Sequence, residues 1–173
     1  TENLMPIKKV INQIPVFYRT LFNSSSTIND DFWIPMEDET NMLKKAIQRH
    51  REGYGGAIMI KGFQGFDKTS LSRNALSHYF KKDRTYTVYA PLAGSISMED
   101  WQKQLAKSFN RESFSSDMFN YLQQESVVLT NDLELWWERS PNGFQVIAEI
   151  KNLIQIYGKK VLFIINSNTH AFN

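Results

Sequence analysis

The sequence predicts an α/β fold, a three-layer sandwich built on a mostly parallel sheet. Two observations carry that expectation. Four short apolar runs recur along the chain, centred on Ile58, Val88, Val128 and Phe163, and stretches with helical spacing separate them. Several of these runs are unbroken rather than alternating, as expected for strands covered on both faces. Strands that alternate with helices need crossover connections, which makes the neighbouring strands parallel.

Taken in order, residues 1–31 read as an N-terminal extension and residues 32–173 as the core. Pro6 and Pro15 interrupt the first segment, and Val16 to Phe22 has the pattern of a short amphipathic helix. Asn23-Ser24-Ser25-Ser26 is a loop signal. Phe32-Trp33-Ile34-Pro35 is extended, because the residue before a proline avoids the helical region. From Glu37 to Arg51 the spacing of Met42, Leu43, Ala46 and Ile47 predicts a helix, which Gly53, Gly55 and Gly56 end. Ala57-Ile58-Met59-Ile60 predicts a strand buried on both faces. A helix is expected from about Thr69 to Lys82, then a second strand over Tyr86-Thr87-Val88-Tyr89. Ser97 to Asp100 has the form of a capping box, opening a helix with Trp101, Leu105 and Phe109 on one face. Val127-Val128-Leu129 predicts the third strand. Phe144 to Tyr157 predicts a helix, with Ile147, Ile150, Ile154 and Tyr157 on one stripe and Gly158 at its end. Val161 to Ile165 predicts the fourth strand.

Composition bounds the function. The 173 residues carry 20 Lys+Arg against 18 Asp+Glu, a net charge of +2, so a strongly electrostatic nucleic-acid binder is not expected. With no cysteine there is no thiol nucleophile and no cysteine-based zinc site. No apolar run reaches the length of a membrane helix and no signal pattern opens the chain, so a cytoplasmic location is expected. The chain begins without Met and stops at Asn173, just after a strand-like run, so it reads as a piece cut from something longer.

One stretch carries chemistry: Gly62-Phe63-Gln64-Gly65-Phe66-Asp67-Lys68-Thr69-Ser70. The phosphate-binding loop pattern is G-x-x-x-x-G-K-[ST]. Gly62, Lys68 and Thr69 match it, and Asp67 stands where the second glycine belongs. The stretch follows an apolar strand and opens a helix, as the mechanism requires. Backbone N–H groups of such a loop, with the positive end of the helix dipole, cradle phosphate oxygens. Gly62, Gly65, Asp67, Lys68, Thr69 and Ser70 are the expected nucleotide-binding residues. Lys68 would reach the outer phosphates and the Thr69 hydroxyl would bind Mg²⁺. Asp67 adds a negative charge beside that cradle. Two like charges about 4 Å apart cost on the order of 1–4 kcal/mol in water-like to surface-like surroundings. The loop therefore predicts ATP and Mg²⁺ binding of weakened affinity.

On these residues the chain resembles the P-loop ATPases of the AAA+ and STAND type from about Phe32 onward. The resemblance implies an acidic end to the third strand, of pattern hhhhD[DE]. Val127-Val128-Leu129-Thr130-Asn131-Asp132-Leu133-Glu134 supplies it in two alignments. One puts Asn131 at the magnesium-orienting position with Asp132 next. The other puts Asp132 there, so Asp132 joins Thr69 as a metal-binding residue, and leaves Glu134 as the acidic neighbour. It also implies a polar residue at the tip of the fourth strand that senses the outer phosphate. Asn168 is the first choice in Ile164-Ile165-Asn166-Ser167-Asn168 and Asn166 the second. Asp132, Glu134 and Asn168 are thus the expected catalytic set. Phe32 to Glu37 stands where the family carries an apolar-Gly-Arg-Glu box near adenine, with Pro35-Met36 replacing Gly-Arg. No second sensor arginine or helical lid follows, so the core is expected to lack its C-terminal part. Hydrolysis is expected to be weak or absent in isolation. The rival expectation is a nucleotide-free scaffold that keeps the fold for protein contact. A DNA-handling ATPase would follow only from fold analogy, and the charge gives it no support.

The remaining candidates point to partners rather than chemistry. His50, His78 and His170 have no metal-ligand spacing. Trp136-Trp137 offers a surface for a base or a protein, with one of the two expected in the core. Lys81-Lys82-Asp83-Arg84 reads as a solvated helix end. Phe17, Tyr18, Leu21 and Phe22 read as a docking face for the core or for a partner. For the chain as a whole, a protein partner or self-association is expected.

Overall fold

The computed structural model describes residues 36–63, 68–90, 97–136 and 143–172. The N-terminal extension, the Phe32 to Pro35 box, Gly65, Asp67 and Trp137 lie outside the described residues. All described elements belong to one unit, Met36–Asn173.

Four helices and four strands alternate, as expected: α1 (Glu37–Arg51), β1 (Ala57–Gly62), α2 (Lys68–Tyr79), β2 (Thr85–Val88), α3 (Met98–Ser108), β3 (Ser126–Thr130), α4 (Gln145–Tyr157) and β4 (Val161–Asn168). The sheet runs β1-β4-β3-β2 and every pairing is parallel. β4 lies between β1 and β3, pairing Gly62 with Asn168 on one side and Thr130 with Ile165 on the other.

Side-chain alternation along β4 sorts the two faces. Val161, Phe163 and Ile165 enter a core with Trp101 and Leu105 of α3 and Val146, Ile150 and Leu153 of α4. Leu162 and Ile164 point the other way, where α1 and α2 pack together and α2 rests on β1 and β4. The layers are therefore α1/α2, sheet, and α3/α4. β3 and the apolar part of β4 are buried throughout, as their unbroken apolar runs predict. Each fully buried Val, Leu or Ile there contributes about 1.5–3 kcal/mol relative to exposure.

β1 departs from expectation. Its burial alternates, with Ala57, Met59 and Lys61 exposed. It is the sheet's edge, and Ala57 and Met59 pair with Phe163 and Ile165, so they lie on the α3/α4 face. Those two helices bridge β2 to β3 and β3 to β4, and among the described residues none covers that face of β1. An apolar run cannot tell an edge from a centre, because it records composition and not neighbours.

Helix ends follow local chemistry. Ser97 caps α3: its Oγ accepts from the Asp100 amide and the Asp100 carboxylate accepts from the Ser97 amide. Gly53 (φ +94°) and Gly56 (φ +136°) turn the chain from α1 into β1 in a region L side chains rarely enter. α2 begins at Lys68 and ends at Tyr79, three residues before the expected end, because Lys82–Arg84 tightens into a single 3₁₀ turn that starts β2.

Candidate functional site

In a parallel sheet all C-terminal strand ends share one edge. That edge gathers Gly62 from β1, Asn131, Asp132 and Glu134 from beyond β3, and Asn166 and Asn168 from β4. α2 starts there too, so Lys68, Thr69 and Ser70 form its first turn. Ligands of open α/β sheets bind at this edge, where crossover connections diverge to opposite faces.

Lys68 turns back over the end of β1. Its Nζ donates to the Phe63 carbonyl at 2.8 Å and the Gly62 carbonyl at 3.1 Å. Its charge also reaches Asp132, where it partly opposes the upward shift that burial and Glu134 impose on that carboxyl. The ammonium thus sits at the junction of strand, loop and helix. The first turn of α2 carries no acidic residue, whereas α1 has Glu37, Asp38 and Glu39 and α3 has Glu99 and Asp100. Within the helix itself, the positive dipole end of α2 is left without a carboxylate.

A polar ladder runs beneath this surface on the α1/α2 face. Asn166 Nδ2 donates to Asn131 Oδ1 at 2.8 Å. The Ser72 hydroxyl lies 2.8 Å from Asn166 Oδ1 and 2.7 Å from the Lys68 carbonyl, and its one proton serves one acceptor at a time. All three side chains are buried. The Asn131 backbone amide donates to the Val88 carbonyl, which ties β3 to the end of β2. Asn131 Nδ2 is buried with no partner among the described residues. The ladder locks the register of α2, β4 and β3 at the edge where Lys68 emerges. Ser72 was not legible as part of this site. Its only signal is a hydroxyl inside the buried stripe of Leu71, Ala75 and Leu76.

The acidic pair is arranged differently. Asp132 adopts φ +52°, a left-handed conformation that Asp tolerates better than most residues. Burial pushes its carboxyl above the usual range, the neighbouring Glu134 charge pushes it further, and Lys68 opposes both. Glu134 Oε2 accepts from the Asn168 amide at 2.9 Å, which ties the turn after β3 to the tip of β4. Asn168 spends its side chain locally: Oδ1 accepts from the His170 amide at 3.1 Å. The His170 ring lies 5.2 Å from that of Phe63, closing the far side of the edge.

Of the expected residues, Gly62, Lys68, Thr69, Ser70, Asp132, Glu134 and Asn168 all lie at one sheet edge. Asn166, the second choice for the sensing residue, is the one bonded into the ladder. His50 and His78 lie elsewhere: His50 Nε2 is 2.9 Å from the Gly158 carbonyl and His78 Nδ1 is 3.1 Å from the Asn74 carbonyl, each a contact near a helix end. Trp136 is fully buried in the core. Among the described residues no group of three or more His, Cys, Asp or Glu is placed to hold a metal ion by itself, and no helix is long and apolar enough to cross a membrane.

The Asp132 shift has a measurable consequence. A carboxyl whose folded pKa exceeds its unfolded value favours the protonated form in the folded chain. Its stabilising effect is full below the unfolded value and is lost as pH rises through the folded one. Asp132→Asn, which removes the titration and keeps a residue that accepts left-handed backbone, is expected to raise Tm at pH 7. The gain should shrink towards zero near pH 4. Thermal unfolding of both proteins across that range checks it, and a gain independent of pH contradicts it.

Compared with known proteins, the chain matches no protein-family model, and a search of curated proteins finds no match.

Proposed function

We propose that the chain is a nucleotide-binding P-loop domain of AAA+/STAND type, binding ATP with Mg²⁺ and hydrolysing it weakly or not at all in isolation. The observation that carries this reading is Lys68. It stands at the first residue of α2, separated by five residues from the end of a parallel strand, with its ammonium folded back onto the carbonyls of Gly62 and Phe63 and within electrostatic reach of Asp132. A lysine placed so has only to exchange two neutral carbonyls for charged phosphate oxygens, which are the stronger acceptors.

The donor set suits a hard cation. Thr69 and Asp132 offer oxygen ligands, and Mg²⁺ commonly takes one or two protein oxygens and completes its shell with phosphate and water. The raised proton affinity of Asp132 is what a nearby divalent charge would reverse. Bound Mg²⁺ would neutralise phosphate charge. Lys68 would orient the outer phosphates, Glu134 would hold the β4 tip through the Asn168 amide, and Asn166 would brace the floor. Asn131 presents its carbonyl oxygen to Asn166 and not to the surface, so Asp132 is the better metal ligand of the two alignments.

A second reading is a nucleotide-free scaffold for protein contact, favoured by Asp67 in the sequence. Titration of the chain with a fluorescent ATP analogue and Mg²⁺ separates the two. Saturable, Mg²⁺-dependent binding at submillimolar to millimolar ligand is expected, and its absence would sink the nucleotide reading. The cytoplasm is the compartment this reading fits.

A further inference from the structure

The opposite edge of the sheet holds a cleft of about 610 Å³, bordered by the start of β2, β3 and β4 and the end of α1. It lies about 20 Å from the Lys68 edge, the length of a six-residue strand at 3.3 Å per residue. Arg51, Arg84, Lys159 and Lys160 line it against one carboxylate, Glu125, and His50 stands among them. Four cations against one anion leave a local surplus of three, whereas the whole chain has a surplus of two. The rest of the chain therefore carries −1, and the positive charge of this near-neutral chain is concentrated here.

Some of that charge is structural. Helix C-termini converge at this edge and their carbonyls attract cations. Arg51 Nη2 donates to the Tyr79 carbonyl at the end of α2, at 2.6 Å, and its Nε pairs with Glu125 at 3.3 Å. That role leaves much unexplained. Arg84 gives Nη1 to the Gln124 carbonyl at 3.1 Å, and its buried Nε has no acceptor among the described residues. Lys160 gives two of the three bonds its ammonium can make, to the Asn120 carbonyl at 2.7 Å and a longer one to the Phe119 carbonyl at 3.4 Å, which leaves one donor. Lys159 is exposed and makes no hydrogen bond or ion pair among the described residues. Arg84, Lys159 and Lys160 thus hold spare charged donors around a concavity whose volume lies in the small-ligand range of about 300–1,000 Å³.

We propose that this cleft binds a small anion carrying two or more phosphate groups, held by Lys159, Lys160 and Arg84, at a site separate from the Lys68 edge. A half-open concavity with its cations grouped around one hollow favours a compact ligand over a polymer, which would need a continuous basic stripe. Two or more phosphates match cations that come from different segments of the chain. The Phe80 ring, under the Arg51 guanidinium at 5.7 Å, supplies an apolar wall for the ligand's remainder.

The probe is inorganic tripolyphosphate, titrated by calorimetry into the Lys68→Ala chain so that the opposite edge contributes least. Saturable binding is expected, at least tenfold tighter than inorganic phosphate. Lys159→Glu in that background should weaken it at least tenfold. Lys159 makes no hydrogen bond or ion pair among the described residues and packs only its aliphatic stem near Gly55, so unchanged thermal unfolding will show that the variant folds, and Arg84→Gln serves as the second variant. No saturable binding at millimolar tripolyphosphate, or binding indifferent to both substitutions, overturns the proposal. So does a single-stranded oligonucleotide that binds tighter than tripolyphosphate and depends on Lys159, since the ligand would then be a polymer.

Discussion

Asn166→Leu is expected to destabilise the folded chain by about 3 kcal/mol. Asn166 is 1% exposed and links Asn131 to Ser72. Leucine has similar bulk, so the cost is one of orphaned polar groups and not of a cavity. Asn131 would lose the donor to its Oδ1, and its Nδ2 already lacks a partner among the described residues. A buried polar group left unpaired costs about 1–3 kcal/mol, and an amide with both ends unpaired lies at the top of that range. Ser72 would suffer less, because the Lys68 carbonyl remains within reach. The drop in Tm should be about 6–12 °C for a chain of this size. Asn131→Leu combined with Asn166→Leu should recover part of the loss, because removing both partners leaves little to orphan. Thermal unfolding of the two single variants and the double variant decides it. If the double loss equals or exceeds the sum of the single losses, the ladder does not hold these elements together.

That ladder marks where the sequence stops being legible. Helices and strands were readable because each answers to local rules. Apolar spacing placed α1 at Glu37–Arg51, the capping box placed α3, and unbroken apolar runs placed β3 and β4. The parallel arrangement followed from alternation alone. The order β1-β4-β3-β2 did not, since it depends on which strands meet, and so the exposed side of β1 was misjudged. The site divides the same way. The loop lysine and the polar strand ends were visible as motifs, because spacing along one strand–loop–helix is local. That Asn166 faces Ser72 across 94 positions, and Asn131 across 35, is set by packing of distant segments. The basic cleft illustrates the same limit. Lys81-Lys82-Asp83-Arg84 looked like an ordinary solvated helix end. Only the sheet's order brings Arg84 beside Lys159 and Lys160, and a chain-wide charge of +2 conceals it.

The largest expected effect on binding is at the Lys68–Asp67 pair, which also separates the two readings of the Lys68 edge. Lys68→Ala should weaken Mg²⁺–ATP binding at least thirtyfold, equivalent to about 2 kcal/mol, the middle of the range for a hydrogen bond to a charged group. Stability should change little, because the ammonium donates to carbonyls at the partly exposed end of an edge strand, where water can replace it. Asp67→Gly should act in the opposite direction. It removes a negative charge next to the lysine in sequence and restores the residue type the loop pattern requires. Relief of about 1.4 kcal/mol of repulsion, within the range for like charges near 4 Å, gives a tenfold gain in affinity. The salt dependence should move with it, because screening reduces a repulsion that the glycine variant no longer has. Each pattern of results has one meaning. Parent binding that Lys68→Ala abolishes and Asp67→Gly strengthens makes the edge a working nucleotide site with affinity held down by its own carboxylate. A parent that does not bind, with an Asp67→Gly variant that does, makes the native chain a scaffold in which one residue has disabled an otherwise complete loop. Failure of both the parent and Asp67→Gly to bind removes nucleotide from the function of this edge altogether, and leaves the Asn131–Asn166–Ser72 ladder as a purely structural brace.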